Sequence, residues 1–127
     1  MKFLAVVLAL LAQSVTANPN QFDLLCEGFQ KKPGARGENI TMHLKVDLEA
    51  SEWCGGTVGY EICHRVKKIH EVTATDYVFE DDRTGRWRDH TRLNRETGTL
   101  YHSNTIVGFF EGSCDKVEFS GFPPANF

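Results

Sequence analysis

The chain has 127 residues, a net charge of −3 at pH 7 and four cysteines. This length suits one domain with a modest hydrophobic core. The weak acidity argues against nucleic-acid binding, because a phosphate backbone is bound by a basic face.

The N-terminus has the features of a secretory signal peptide. One positive charge at Lys2 precedes an unbroken apolar run over 4–12, and small residues follow up to Ala17. Removing 1–17, and Lys2 with it, leaves one domain of residues 18–127 with 13 basic and 17 acidic side chains, a net charge of −4. The run is too short to span a bilayer, and no cysteine directly follows the cleavage point, so no stable membrane anchor is expected. The sequence predicts a periplasmic or secreted protein.

Alternation of apolar and polar residues predicts an all-β domain. Apolar residues occupy every second position from Ile40 to Leu48 and from Phe22 to Cys26, which is the period of a strand with one buried face. A short helical turn is expected at 49–53. Further strands are expected at 58–63, 66–73, 77–81, 86–93, 99–102 and 105–111.

Turn residues separate these strands. Residues 82–85 and 95–98 both end in Thr-Gly, which suits a tight turn with glycine at positive φ. About seven to eight short strands at this spacing predict an antiparallel meander that forms a small barrel or sandwich closed by disulfides. Closing the first strand onto the last would remove the open edges.

The C-terminal segment 119–127 breaks the strand pattern. It holds three phenylalanines and two prolines, so it cannot be a central strand. We expect a plug whose rings cover an open end of the core, and the alternative is an aromatic binding lip.

Four cysteines allow three pairings, and Cys26–Cys114 with Cys54–Cys63 is favoured. Cys54 and Cys63 flank a glycine-rich segment that can fold back on itself. Cys26 faces the core on the first strand, and Cys114 follows the last long strand, which must lie beside the first in a closed sheet. The alternatives, Cys26–Cys54 with Cys63–Cys114 and Cys26–Cys63 with Cys54–Cys114, would pull the glycine-rich segment open. The cysteines lack C-x-x-C spacing, so neither a zinc site nor another metal or cofactor is expected.

A series of short motifs resembles one group of proteins through its order along the chain. The motifs are Phe22-Asp23-Leu24 with Cys26 and Gly28, Val46-Asp47-Leu48, Trp53-Cys54 followed by Cys63, Leu93-Asn94-Arg95 with Thr97-Gly98, Gly112 with Cys114, and Phe-Ser-Gly-Phe-Pro at 119–123. The group is an uncharacterised family of small exported disulfide-bonded proteins from alphaproteobacteria such as sphingomonads and caulobacters. The resemblance covers nearly all of the mature chain. It implies an exported, disulfide-bonded β protein and no particular activity.

The first functional hypothesis is a non-catalytic binding or interaction module of the periplasm or cell exterior, with an unknown protein or small-molecule partner. Its candidate binding residues are Arg86, Trp87 and Arg88, because tryptophan and arginine are frequent interface anchors. On a strand, Trp87 would occupy one face and the two arginines the other. The simpler interpretation of this charged stretch is a hairpin tip whose charges screen one another.

The second hypothesis is a small secreted hydrolase that uses histidine and carboxylate groups. It requires at least two of His43, His64, His90 and His102 to converge with a carboxylate in one concave site. The simpler interpretation is that each is a solvated residue on the outward face of a strand. The sequence contains no nucleophile elbow, phosphate loop or Cys-His nucleophile, so it predicts no catalytic residues.

Overall fold

The computed structural model describes residues 18–124. The signal peptide predicted at 1–17 and the terminal Phe127 lie outside this range. Within 18–124 the chain forms strands and no helix. The strands are β1 (Gln21–Lys31), β2 (Glu38–Asp47), β3 (Glu52–Thr57), β4 (Lys67–Lys68), β5 (Glu71–Val72), β6 (Asp76–Asp81), β7 (His90–Asn94), β8 (Thr99–Asn104) and β9 (Gly108–Glu118).

The nine strands of this described part form one antiparallel sheet in the order β4-β3-β2-β1-β9-β8-β7-β6-β5. The first and last long strands pair with each other, from Phe22 opposite Glu118 to Lys31 opposite Phe109. All other neighbouring strands in the sheet are also consecutive in the chain, and each of these pairs forms an antiparallel hairpin. The sheet curls into a half-barrel, which confirms the predicted all-β class and the pairing of the first strand with the last.

The two edge strands, β4 and β5, lie end to end in one extended segment. β4 pairs with β3, whereas β5 pairs with β6. Between them, Ile69 N donates to Ser51 O (2.9 Å), and His70 N donates to Phe79 O (3.2 Å). The strand predicted at 66–73 is therefore two short strands that connect opposite edges of the curled sheet.

The inward side chains form one apolar core. Phe22 and Leu24 are both buried, as their alternation predicted, and the Trp53 and Phe79 ring centroids lie 5.2 Å apart across the sheet. Burying these side chains is the main stabilising contribution for a domain of this size. The core consists of Phe22, Leu24, Cys26, Met42, Leu44, Val46, Trp53, Ile69, Phe79, Leu93, Leu100 and Phe110.

Both predicted disulfides are formed. Cys26 and Cys114 are directly opposite each other on β1 and β9, so this bridge links the first strand to the last. The Cys54–Cys63 bridge fastens the loop 58–66 to β3. No free cysteine occurs within residues 18–124.

Two elements near β3 differ from the prediction. The segment 48–51 is a turn rather than a helix, because Ala50 N donates to Asp47 Oδ1 (3.0 Å) and β3 begins directly afterwards. Residues 58–63 are a loop, since Gly59 (φ 97°) and Cys63 (φ 58°) adopt the left-handed conformation that a strand does not use.

The strand predicted at 86–93 also begins later, at His90. The carboxylate of Asp82 accepts hydrogen bonds from the N–H groups of Thr84 (3.2 Å) and Gly85 (2.7 Å), which turns the chain away from the sheet. Arg88 has a φ of 50°. Residues 82–89 are therefore a loop, and the expected alternation of Arg86, Trp87 and Arg88 on a strand is wrong. The strand predicted at 105–111 also begins later than expected, at Gly108, because 105–107 is a turn.

The C-terminal segment 119–124 lies on the outer face of the sheet. Ser120 N donates to Asp23 Oδ1 (3.2 Å), and Lys45 Nζ donates to Gly121 O (2.7 Å). Phe119 and Phe122 pack edge to face against each other at 5.4 Å. This part of the tail thus covers the outward side chains of β1 and β2 and does not plug an open end of the core.

Candidate binding site at the open end of the sheet

The longer connections gather at one end of the half-barrel. Antiparallel order brings together the segments that follow β1, β3, β6 and β8. Thr105 N donates to Trp87 O (2.9 Å), which shows that two of these segments touch. At the opposite end, the turns at 48–51, 73–75 and 95–98 have three or four residues each, whereas three of the four connections at the first end have six to nine. We call the first end the open end and its connections, 32–37, 58–66, 82–89 and 105–107, the rim loops.

A β-bulge supplies the interior of the open end with a carboxylate. The register of β6 against β7 shifts between Val78 and Glu80, so both Phe79 and Glu80 point inward, as a bulge permits. Glu80 then faces Lys67 of β4 across the gap between the sheet edges, with Lys67 Nζ 2.6 Å from Glu80 Oε1. This ion pair connects β4 with β6, which share no backbone ladder.

Polar side chains continue this inward row along β7 and β8. Thr91 Oγ1 and His102 Nδ1 are 2.7 Å apart, and Thr91 is 1% exposed. Asn104 Nδ2 donates to Asp89 Oδ1 (3.1 Å). Burial lowers the pKa of His102 below its usual 6.5, against the opposing effect of Glu80 and Asp89. The His102 ring is therefore neutral at pH 7.

Trp53 brings an unsatisfied donor to the same region. Its side chain is 6% exposed, and its ring lies beneath the Lys67 ammonium, 5.3 Å from Nζ to the ring centroid. The indole Nε1 is buried and has no hydrogen-bond partner within residues 18–124. Buried N–H groups are nearly always paired, because an unpaired one costs about 1–3 kcal/mol.

These groups surround a cavity of about 400 Å³. Ligand pockets in proteins commonly have volumes of about 300–1,000 Å³ and contain a few convergent polar groups. The lining is Met42, Trp53, Cys54, Gly55, Gly56, His64, Arg65, Lys67, Glu80, Asp89, Thr91, His102 and Asn104. A larger depression, of about 630 Å³, lies beside Glu27 and Glu38, but no unsatisfied buried polar atom lines it.

The predicted binding residues do not line this cavity. Arg86, Trp87 and Arg88 belong to the rim loop 82–89, where all three side chains are exposed. The Arg86 guanidinium lies 5.3 Å from the Trp87 ring centroid. The three residues thus share one loop, but none of them is part of the cavity lining.

The structure divides the four candidate histidines into two groups. His64 and His102 line the cavity together with Glu80 and Asp89. His90 lies on the outward face of β7, with its Nδ1 3.5 Å from Asp81 Oδ1.

His43 takes part in a polar cluster that the sequence did not reveal. Its Nε2 lies 2.7 Å from Asp23 Oδ2, and Ser120 Oγ donates to the same carboxylate oxygen. Asp23 faces outward between the buried Phe22 and Leu24, yet it is 2% exposed because the C-terminal segment covers it. Alternation predicts the outward direction of Asp23, whereas its burial depends on residues 97 positions away.

A metal centre finds no support in the part of the chain that the structure describes, since no group of three His, Cys, Asp or Glu side chains is arranged to hold an ion there. The two disulfides indicate an oxidising, extracytoplasmic environment. Across residues 18–124, no helix is long and apolar enough to cross a membrane.

No family model, curated protein or solved structure matches this chain. The resemblance to exported alphaproteobacterial proteins therefore stays a prediction. The grounds for assigning a function are the geometry and chemistry of the open end.

Proposed function

We propose that this protein is an exported, non-catalytic binding module that takes a small, uncharged, hydroxyl-rich ligand into the cavity at the open end. The observation that carries the proposal is the buried, unpartnered Nε1 of Trp53. Trp53 lines the cavity, but its Nε1 has almost no exposed area, so a neighbouring side chain must shift before a ligand oxygen accepts this hydrogen bond and removes the cost of the unpaired donor. An apolar ligand would leave the cost in place.

The charges of the cavity favour a ligand without net charge. Lys67 and Glu80 already neutralise each other at 2.6 Å. Arg65 and Asp89 add one charge of each sign to the lining. An ion of either sign would therefore meet both attraction and repulsion, whereas hydroxyl groups can donate to the carboxylates and accept from the cations.

The volume and side-chain types agree with a ligand of monosaccharide size. Glu80 and Asp89 are acceptors, Asn104 combines a donor with an acceptor, and Trp53 offers only a donor. A sugar or cyclic polyol presents adjacent hydroxyls that serve all three types. Its hydrogen bonds would replace water at a site that is already partly desolvated.

The test is calorimetric titration with a panel of N-acetylglucosamine, glucose, galactose and myo-inositol. The informative variant is Trp53→Phe, which keeps a ring and removes the N–H donor. For the panel member that binds, we expect an affinity about five- to tenfold weaker, the usual worth of one hydrogen bond. The matched control is Trp87→Phe, the same change on a rim loop, which leaves the affinity unchanged.

Two results would contradict the proposal. One is the absence of binding heat for every member of the panel. The other is an equal loss of affinity in the Trp53→Phe and Trp87→Phe variants, because the cavity would then not be the site. Thermal unfolding of each variant shows whether a loss of binding merely reflects a loss of folded protein.

A second candidate function is the secreted hydrolase, and one observation favours it. His64 and His102 line the same cavity as two carboxylates. The neutral ring that the lowered pKa of His102 provides is the form that a general base needs. Under this hypothesis, the protein hydrolyses para-nitrophenyl glycosides or bis(para-nitrophenyl) phosphate, and His102→Gln abolishes the turnover. Failure of the wild-type protein to hydrolyse either class of substrate rejects it.

A further inference from the structure

The rim loops carry exposed apolar side chains that the cavity does not use. Val58 is 52% exposed, Tyr60 78%, Trp87 45% and Ile106 56%. They come from three different loops, yet all lie at the open end, because antiparallel pairing brings these loops together. Tryptophan and tyrosine combine an apolar ring with a polar edge, which suits the boundary between water and lipid.

The same loops concentrate positive charge in a protein that is otherwise acidic. The four rim loops hold six basic and three acidic side chains, whereas the remainder of residues 18–124 holds seven basic and fourteen acidic ones. All six basic side chains on the rim are exposed. They are Lys32, Arg36, Arg65, Arg83, Arg86 and Arg88. An anionic surface would therefore attract this end and repel the rest of the domain.

We propose that the rim loops dock the protein reversibly on an anionic lipid bilayer, with Trp87 and Tyr60 entering the headgroup region and the rim arginines lying against the lipid phosphates. Basic side chains near an anionic leaflet and a few inserted apolar side chains together give reversible attachment. The proposal depends on the rim and is independent of any ligand in the cavity. It also gives a role to Arg86, Trp87 and Arg88, which lie outside the cavity.

A bilayer fits this surface better than a protein partner does. A protein interface is built around a contiguous, closely packed apolar centre. Here the four exposed apolar side chains stand on three separate loops, and the loop that carries Trp87 also carries three exposed arginines. A fluid headgroup layer can fill the spaces between such loops, whereas a rigid protein surface would need a matching shape at every one of them.

The test is co-sedimentation with vesicles of equimolar phosphatidylglycerol and phosphatidylcholine, and with vesicles of phosphatidylcholine alone. We expect binding to the anionic vesicles only. Raising the salt from about 0.1 M to about 1 M shortens the Debye length from about 10 Å to about 3 Å and should release the protein. Trp87→Ser should lose the blue shift of tryptophan emission that the wild-type protein shows on these vesicles.

The charge is tested by the double variant Arg86→Gln/Arg88→Asn, in which asparagine suits the positive φ of position 88. We expect its partition coefficient to fall about 25-fold, or about fivefold for each cation removed. The matched control is Arg92→Gln/Arg95→Gln, which removes the same charge from exposed positions outside the rim loops. We expect this control to change the coefficient by less than about threefold, because its charges stay farther from the surface.

Three results would overturn the proposal. The first is the absence of sedimentation with anionic vesicles, which is also the result expected if the rim loops bind an acidic protein and not a bilayer. The second is equal binding to both kinds of vesicle, and the third is an equal loss of binding in the two double variants. Unfolding temperatures that match the wild type show that each variant is folded.

Discussion

The two disulfides should contribute unequally to stability, and the reason lies in how much chain each one closes. Cys26 and Cys114 are 88 residues apart, whereas Cys54 and Cys63 are 9 apart. In the chain-entropy model, the long bridge restricts the unfolded chain by about 4.5 kcal/mol and the short one by about 2.5 kcal/mol. The short bridge lies within the longer loop and shortens it by about a tenth, which changes the larger value by only about 0.1 kcal/mol.

The comparison uses the double variants Cys26→Ala/Cys114→Ala and Cys54→Ala/Cys63→Ala. Cys26 is 0% and Cys54 is 1% exposed, so replacing each cysteine with alanine leaves a small buried space in both variants. The free-energy cost of that space is similar in the two and largely cancels when their stabilities are compared. The β1–β9 ladder remains in the first variant, so we expect a folded but weaker domain.

The assay is unfolding in guanidinium chloride with the other bridge intact. We expect the long-bridge variant to lose about 2 kcal/mol more free energy of unfolding than the short-bridge variant, or about 10 °C in Tm. Equal losses, or a larger loss from removing the Cys54–Cys63 bridge, would refute the reasoning. Such a result would mean that local packing of the loop 58–66, and not the restriction of the unfolded chain, determines what each bridge contributes.

Three further predictions concern single residues. Gly28→Ala should lower the free energy of unfolding by more than about 2 kcal/mol in chemical denaturation, because its Cβ would lie 2.1 Å from a backbone oxygen of β9. Burial lowers the pKa of His102 in the folded protein below 6.5, the ordinary value that the unfolded chain has. Between the folded-state pKa and 6.5, the unfolded chain therefore binds more protons than the folded one, so the free energy of unfolding should fall as the pH drops from about 6.5. Melting curves from pH 7.5 to 5, values on either side of the ordinary histidine pKa of about 6.5, should show a smaller loss of stability for His102→Gln than for the wild-type protein, and an equal loss in both proteins would contradict this prediction. Asp23→Ala should release the segment 119–124, since its carboxylate holds that segment, and limited proteolysis should cut there faster than in the wild-type protein.

The sequence predicted most reliably where local alternation and global burial agree. Positions 40–48 alternate, and β2 buries the expected side chains at Met42, Leu44 and Val46. The disulfides were predictable for a related reason, because Cys26 shares the inward phase of β1. Both inferences use the period of two along a strand, which needs no knowledge of distant residues.

The prediction failed where a local hydrogen bond or a dihedral angle overrides that period. The stretch around Trp87 contains good strand-forming residues, but the Asp82 carboxylate binds the N–H groups that follow it and makes a loop instead. Similarly, the bulge after Val78 places Phe79 and Glu80 on one face. No alternation rule could place Glu80 inside, although the cavity depends on it.

The cavity is the part of the interior where most of the lining side chains are polar and not apolar. Most inward positions of the curled sheet are apolar, but toward the open end the inward row becomes Glu80, Thr91 and His102, opposite Lys67. Groups of this kind lower the stability of a small domain unless each finds a partner. Most have one, in the pairs Lys67–Glu80, Thr91–His102 and Asp89–Asn104, and the Nε1 of Trp53 does not. A polar row that is nearly complete within the protein and lacks one acceptor is the arrangement expected of a site that a ligand completes, and this arrangement is the basis of the binding function that we propose.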